Sequence, residues 1–103
     1  LPRPLPSKNQ LLANYPNPFN PETWIPFQLA EDSEITITIY DLRGQPIRRL
    51  PLGQLMAGRY EGRDRAAYWD GRTEDGELVA SGTYFYRLNG GKYHQTRKMA
   101  ILK

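Results

Sequence analysis

The chain has 103 residues, of which 39% are hydrophobic, 12% aromatic and 24% charged, with a formal net charge of +3. That is the composition of one small globular domain with a single core, not of a disordered chain. The absence of Cys excludes a disulfide framework and thiol chemistry, and lets the domain fold alike in either redox compartment. No apolar run reaches the length of a membrane span, and the first residues lack the apolar stretch of a signal peptide. The sequence opens on Leu1 and not on Met. We therefore expect a parent protein N-terminal to residue 1, with any export signal at its far end.

Residues 1–10, LPRPLPSKNQ, place Pro at positions 2, 4 and 6, a spacing that favours extended polyproline II. We assign them to a proline-rich linker and residues 11–103 to the domain. NYPNPFNP, residues 14–21, crowds turn formers against two large rings. Each Pro biases the residue before it (Tyr15, Asn17, Asn20) away from helix. The Asn side chains can satisfy backbone groups left without a ladder partner, while Tyr15 and Phe19 can pin the segment to a core. These features predict a stiff cap where the chain enters the fold.

Beyond the cap, period two dominates. TWIPFQLA sets Ile25, Phe27 and Leu29 on one face and Trp24, Pro26 and Gln28 on the other. Pro26 cannot donate to a ladder, so this strand is at an edge or interrupted. EITITIYDL is the clearest strand, with Ile35, Ile37 and Ile39 alternating with Thr36, Thr38 and Tyr40. It ends in a turn where Gly44 is expected at positive φ. PIRRLPL reads as a weaker strand, and GQLMAGRYEGRDR as an exposed connection with a short strand around Leu55. AAYWDG is a short strand with Ala67 and Trp69 on one face, and Asp75-Gly76 marks a tight turn. TYFYRL sets Tyr84, Tyr86 and Leu88 opposite Phe85 and Arg87. NGG makes a hairpin into the last strand, KYHQTRKMAILK, with Met99 and Ile101 facing the core. No helical period lasts beyond one turn. The pattern predicts an all-β fold, an immunoglobulin-like antiparallel β-sandwich of about seven strands whose order is open.

The last twenty residues carry Arg87, Lys92, Arg97, Lys98 and Lys103 and no acidic side chain. Such an end can meet an acidic partner, a membrane surface or nucleic acid, or simply keep the surface soluble. No nucleic-acid-binding motif accompanies the charge, so no nucleic acid is expected. Catalysis is not expected either. The single His, His94, has no nucleophile or orienting carboxylate near it in sequence. Asp70, Asp75 and Glu77 could make an irregular calcium site, but Arg72 stands at the third position of that loop, where a ligand belongs. A plain acidic hairpin is the simpler reading, and we expect no metal and no cofactor. Trp24 and Tyr68 have exposed parity and could stack on sugars, whereas Trp69 and Tyr84 have core parity.

NYPNPFNPET, WDGR, VASGTYFYRL and TRKMAILK follow one another in that order. Together they resemble the C-terminal sorting domain of bacterial type IX secretion cargo (type A), over roughly residues 11–103. The segment from WDGR to SGTYFYR is also similar to the immunoglobulin-like domain of the flagellar hook-capping protein. The resemblance implies a non-catalytic, folded address that crosses the periplasm with its parent and is recognised by the outer-membrane type IX translocon. A sortase-like peptidase is then expected to act on it, with cleavage and surface anchoring of the cargo. It implies a secreted or cell-surface location and a monomeric domain. The matching motif residues are Pro16, Asn17 and Pro18, then Gly82 and Tyr84, then Arg97, Lys98 and Lys103. The alternatives are a structural or assembly module pairing through an exposed strand edge, and an accessory carbohydrate-binding domain using Trp24 or Tyr68.

Overall fold

The computed structural model describes residues 4–103; the start of the expected linker, residues 1–3, lies outside the described residues. The described chain is all-β, with nine strands in two layers. They are β1 (Gln10–Leu11), β2 (Thr23–Ile25), β3 (Phe27–Leu29), β4 (Ser33–Tyr40) and β5 (Pro46–Leu55). These are followed by β6 (Gly58–Tyr60), β7 (Ala67–Trp69), β8 (Gly82–Gly90) and β9 (Tyr93–Ile101). One layer is a four-stranded sheet in the order β5-β4-β8-β9. The other combines β1-β3-β6 with the pair β2-β7. All these strand pairs are antiparallel.

The alternation seen in the sequence selects the core. Ile35, Ile37 and Ile39 of β4, Tyr84, Tyr86 and Leu88 of β8, and Met99 and Ile101 of β9 are all buried on the inner face. Facing them are Leu11, Ile25, Phe27, Leu29, Tyr60, Ala67 and Trp69. Burying a side chain of the Ile or Phe class contributes about 1.5–3 kcal/mol, so this shared core is the main stabilising term. Expected turns also form. Gly44 has φ 85°, with the Asp41 carboxylate accepting the N–H groups of Arg43 and Gln45. Gly76 has φ 85° and donates its N–H to the Thr73 carbonyl at 3.0 Å.

One expected break and two departures from the sequence pattern have physical causes. The run from Thr23 to Leu29 is interrupted at Pro26, and the chain changes partners there. β2 pairs with β7, whereas β3 lies between β1 and β6. The Pro26 carbonyl takes the Leu12 N–H at 3.0 Å. β5, expected as a weaker strand over PIRRLPL, is the longest described strand at ten residues. Its prolines are tolerated because it lies at a sheet edge, and irregularities in its register with β4 accommodate them. Leu55 ends β5, and the extra short strand falls at Gly58–Tyr60, where Tyr60 stacks on Phe27 at 5.0 Å.

One core hydroxyl adds to the β1–β3 pairing in holding the N-terminal segment. Tyr86 is fully buried; its Oη donates to the Leu12 carbonyl at 2.8 Å and accepts the Asn14 N–H at 3.0 Å. Tyr86→Phe keeps the ring and strips both bonds, and is expected to cost about 1–3 kcal/mol in urea unfolding. Burial also raises the Tyr86 pKa, an effect only partly offset by the Asn14 N–H and by Arg97. A raised folded pKa gives stability that is complete below the unfolded value and is lost as pH climbs through the folded value. Wild-type stability should therefore fall above about pH 10, and more steeply than that of Tyr86→Phe. Matching pH profiles for the two proteins would refute this role of the hydroxyl.

Candidate functional site: the joint between the two ends of the domain

The segment Asn14–Pro21 is tied into the sandwich at both ends. Its first anchor is a polar cluster. Asn14 is buried and its Nδ2 donates to Thr23 Oγ1 at 3.0 Å. Thr23, also buried, donates in turn toward the carbonyls of Tyr15 (3.1 Å) and Pro16 (3.2 Å). Tyr15 and Trp24 exchange backbone bonds of 2.9 and 2.8 Å. Asn14 and Thr23 were not among the residues singled out from the sequence. The one available signal was that Asn14 opens the NYPNPFNP run.

The second anchor joins the segment to the last strand. The Phe19 N–H donates to the Ala100 carbonyl, and the Phe19 carbonyl accepts the Leu102 N–H, both at 3.0 Å. This is a parallel bridge between Phe19 and Ile101. The Asn17 side-chain oxygen accepts the Ala100 N–H at 3.0 Å, so a side chain extends the bridge where Pro18 has no N–H to offer. The Phe19 ring is buried 5.6 Å from Trp69, and Trp69 meets the Tyr84 ring edge-on at 6.3 Å. The Trp69 indole N–H donates to the Arg72 carbonyl at 2.9 Å.

Gly71 of the WDGR motif closes the joint. It has φ +77°, and a Cβ at this position would lie 2.2 Å from the Pro21 carbonyl oxygen. At the other flank, Gly82 pairs with Ile101 in the β8–β9 register, and the Lys103 N–H donates to Ser81 Oγ at 3.0 Å. Tyr84 donates its hydroxyl to the Ala80 carbonyl at 2.7 Å, and burial raises its pKa, with the Asp41 charge adding to the effect.

Four stretches far apart in sequence thus meet at one end of the sandwich. Pro16, Asn17, Pro18, Gly82 and Lys103 are exposed there, with Tyr84 buried beneath them. Arg97 and Lys98 lie further along β9, opposite Tyr86 and Phe85. Arg97 is half-buried and directs a guanidinium nitrogen to the Leu11 carbonyl at 3.5 Å, so it braces β1. Lys98 is exposed on the outer face.

The other candidates are less assembled. The Asp70 carboxylate accepts from Arg48 at 3.1 Å and from the Arg72 N–H at 3.0 Å. Among the described residues no three His, Asp or Glu side chains gather as a metal site would require. Tyr68 is exposed, while Trp24 is half-buried between Tyr15 (6.3 Å) and Tyr68 (5.5 Å). The Arg63 guanidinium sits 4.2 Å over the Trp24 ring and already occupies a face that a sugar would need. The Tyr68 hydroxyl donates to Glu22 at 2.6 Å, which raises the Tyr68 pKa. His94 is exposed on β9, opposite Asn89.

A two-layer antiparallel sandwich with this strand order and these closing loops defines an immunoglobulin-like domain. The chain belongs to the FlgD Ig-like domain family, whose model matches residues 19–92. The matched stretch excludes Pro16–Pro18 and all of β9. Among solved structures, the chain is similar to dimeric latent PorU from Porphyromonas gingivalis. That match has a TM-score of 0.67 and 19% identity, over 91% of this chain and 9% of that one. It is also similar to PorZ of the same organism, described as an essential bacterial surface component of the type-IX secretion system. There the TM-score is 0.57 and the identity 22%, over 88% of this chain and 11% of that one. At these identities the likeness shows the fold alone, and the chain spans only a small part of either protein. No curated protein sequence matches it.

Gly71→Ala tests the joint, because the added methyl meets backbone and not a flexible side chain. It should destabilise the domain by more than about 1 kcal/mol in chemical unfolding. Gly76→Ala is the control, since a Cβ there meets nothing within 4 Å and only the φ of 85° is strained. Equal costs for the two would show that Pro21 does not press on Gly71.

Proposed function

We propose that this domain is a non-catalytic C-terminal signal that directs its parent protein across the outer membrane by type IX secretion. In this reading the parent precedes the domain, and the proline-rich residues leading into β1 form the approach to the signal. The observation that carries the reading is the joint itself. Backbone bonds from Phe19 to Ala100 and Leu102 hold Pro16, Asn17, Pro18 and Lys103 on one folded surface. A signal read after folding needs such a composite surface, because no linear motif survives as an exposed peptide once it is paired. The domain's likeness to part of PorZ, a component of that secretion system, supports the same reading.

In this reading the partners are the outer-membrane translocon and a sortase-like peptidase. The domain is monomeric, and its parent ends outside the cell or on its surface. Lys98 and Lys103 supply exposed charge for recognition, and Arg97 acts indirectly by holding β1 against β9.

The test is a fusion of residues 1–103 to the C-terminus of an exported fluorescent reporter. Its host is a bacterium with a type IX system, compared with the translocon-deficient mutant. Reporter is expected in the medium or on the surface of the first strain and in the periplasm of the second. Lys98→Ala and Lys103→Ala should change stability by no more than about 0.5 kcal/mol, yet lower export. The Lys103 backbone bond to Ser81 survives that truncation, which separates recognition from folding. Periplasmic retention in both strains, with the domain folded, would overturn the assignment. Full export by both Lys variants would remove the basic end from the recognition surface.

A further inference from the structure

The two edges of the four-stranded sheet are protected unequally. On β5, Pro46 and Pro51 have no N–H to offer. The Ile47 carbonyl accepts the Glu74 N–H at 3.0 Å, and the Glu74 carboxylate takes the Arg49 N–H at 2.8 Å. These are the devices that keep an edge from recruiting another strand.

Among the described residues, the outer edge of β9 is closed only at its C-terminal end, by the segment containing Asn17 and Phe19. β9 pairs with β8 in unbroken register from Tyr93 to Ile101. In an antiparallel ladder, alternate residues turn their backbone groups to the same side. Ala100 and Leu102 turn theirs away from β8, toward Asn17 and Phe19, so Lys98, Thr96 and His94 do the same. Among the described residues, nothing bonds to the N–H or C=O of these three. β1 runs nearby in the other layer, held through the side chains of Gln95 and Arg97, and does not pair with β9.

The flanking charge has one sign. Lys92, Arg97 and Lys98 surround the open stretch, and residues 84–103 contain no Asp or Glu. We propose that the edge of β9 from His94 to Lys98 receives an extended acidic polypeptide segment by strand addition. Main-chain bonds supply the affinity and opposite charge selects the partner. The Phe19 bridge shows that this edge already accepts a parallel neighbour, and the incoming segment lies along the same line. A second copy of the chain fits poorly. Pairing β9 with itself about Thr96 sets Lys98 against His94 and brings two basic strands together, where like charges repel. The inference rests on the edge and its charge, and holds whether the domain is a sorting signal or an assembly module.

The test uses the isotopically labelled 103-residue chain and two capped eight-residue peptides, one alternating Thr and Glu, the other alternating Thr and Lys. In the free, dilute chain the amides of His94, Thr96 and Lys98 should exchange with solvent much faster than those of Tyr93, Gln95 and Arg97. The Thr-Glu peptide at about 1 mM should slow the three open amides by about tenfold or more, and the Thr-Lys peptide should not. Lys98→Glu should abolish that slowing while leaving the rest of the amide spectrum in place. Protection of the three amides in the dilute free chain would overturn the proposal. So would protection that grows with chain concentration alone, which would mark self-pairing. No slowing by the Thr-Glu peptide, or equal slowing by both peptides, would overturn it as well.

Discussion

Phe19 is the point at which the two ends of the domain become one object. Its backbone bonds Ala100 and Leu102, and its ring fills the space beside Trp69. Burying a ring of this size contributes about 1.5–3 kcal/mol, and the two backbone bonds add a smaller net amount. The larger effect is geometric. With Phe19 in place the C-terminal part of β9 is covered, Pro21 presses on Gly71, and Asn17 reaches Ala100. The Asn14–Thr23 cluster and the Tyr86 hydroxyl brace the same segment from its other end. A stretch with three prolines cannot build a ladder of its own, so it borrows partners from the core tyrosine and from the last strand.

This arrangement separates two roles that look alike in the sequence. Trp69, Gly71 and Tyr84 belong to striking motifs, yet they are buried and serve packing. Pro16, Asn17, Pro18 and Lys103 lie on the surface that this packing displays. Arg97 falls between the two, with a charged head used to tie β1 to β9. Loss of a motif residue can therefore act through folding alone, and substitution of the exposed members is the direct test of the proposed recognition. The open part of β9 begins where the Phe19 joint stops, so the same interaction sets the limit of the free edge.

Much of the fold was legible because it rests on local alternation. Ile35 to Ile39, Tyr84 to Leu88, and Met99 with Ile101 all declared their buried face through period two, and Gly44 and Gly76 declared their turns. What was not legible depends on partners remote in sequence. Nothing near Pro26 says that the strand will leave one sheet for another there, although its missing N–H shows that something must break. The prolines of β5 concealed a ten-residue strand because their tolerance depends on its place at the edge. The joint was the least legible part. The NYPNPFNP run predicts a stiff cap with ring anchors, but no local pattern reveals that Phe19 will lie beside Ile101 or that Asn14 will be buried against Thr23.

The most direct measurement is native-state hydrogen exchange of the Phe19 and Leu102 amides, compared with those of core residues in β8. If the joint is integral to the domain, both should exchange only through global unfolding, with the same denaturant dependence as the β8 core. Exchange of Phe19 and Leu102 through a low-energy local opening, with β8 still protected, would contradict this. The proline-rich segment would then be a loosely attached flap, and the surface shared by the two ends would not be a fixed feature of the fold.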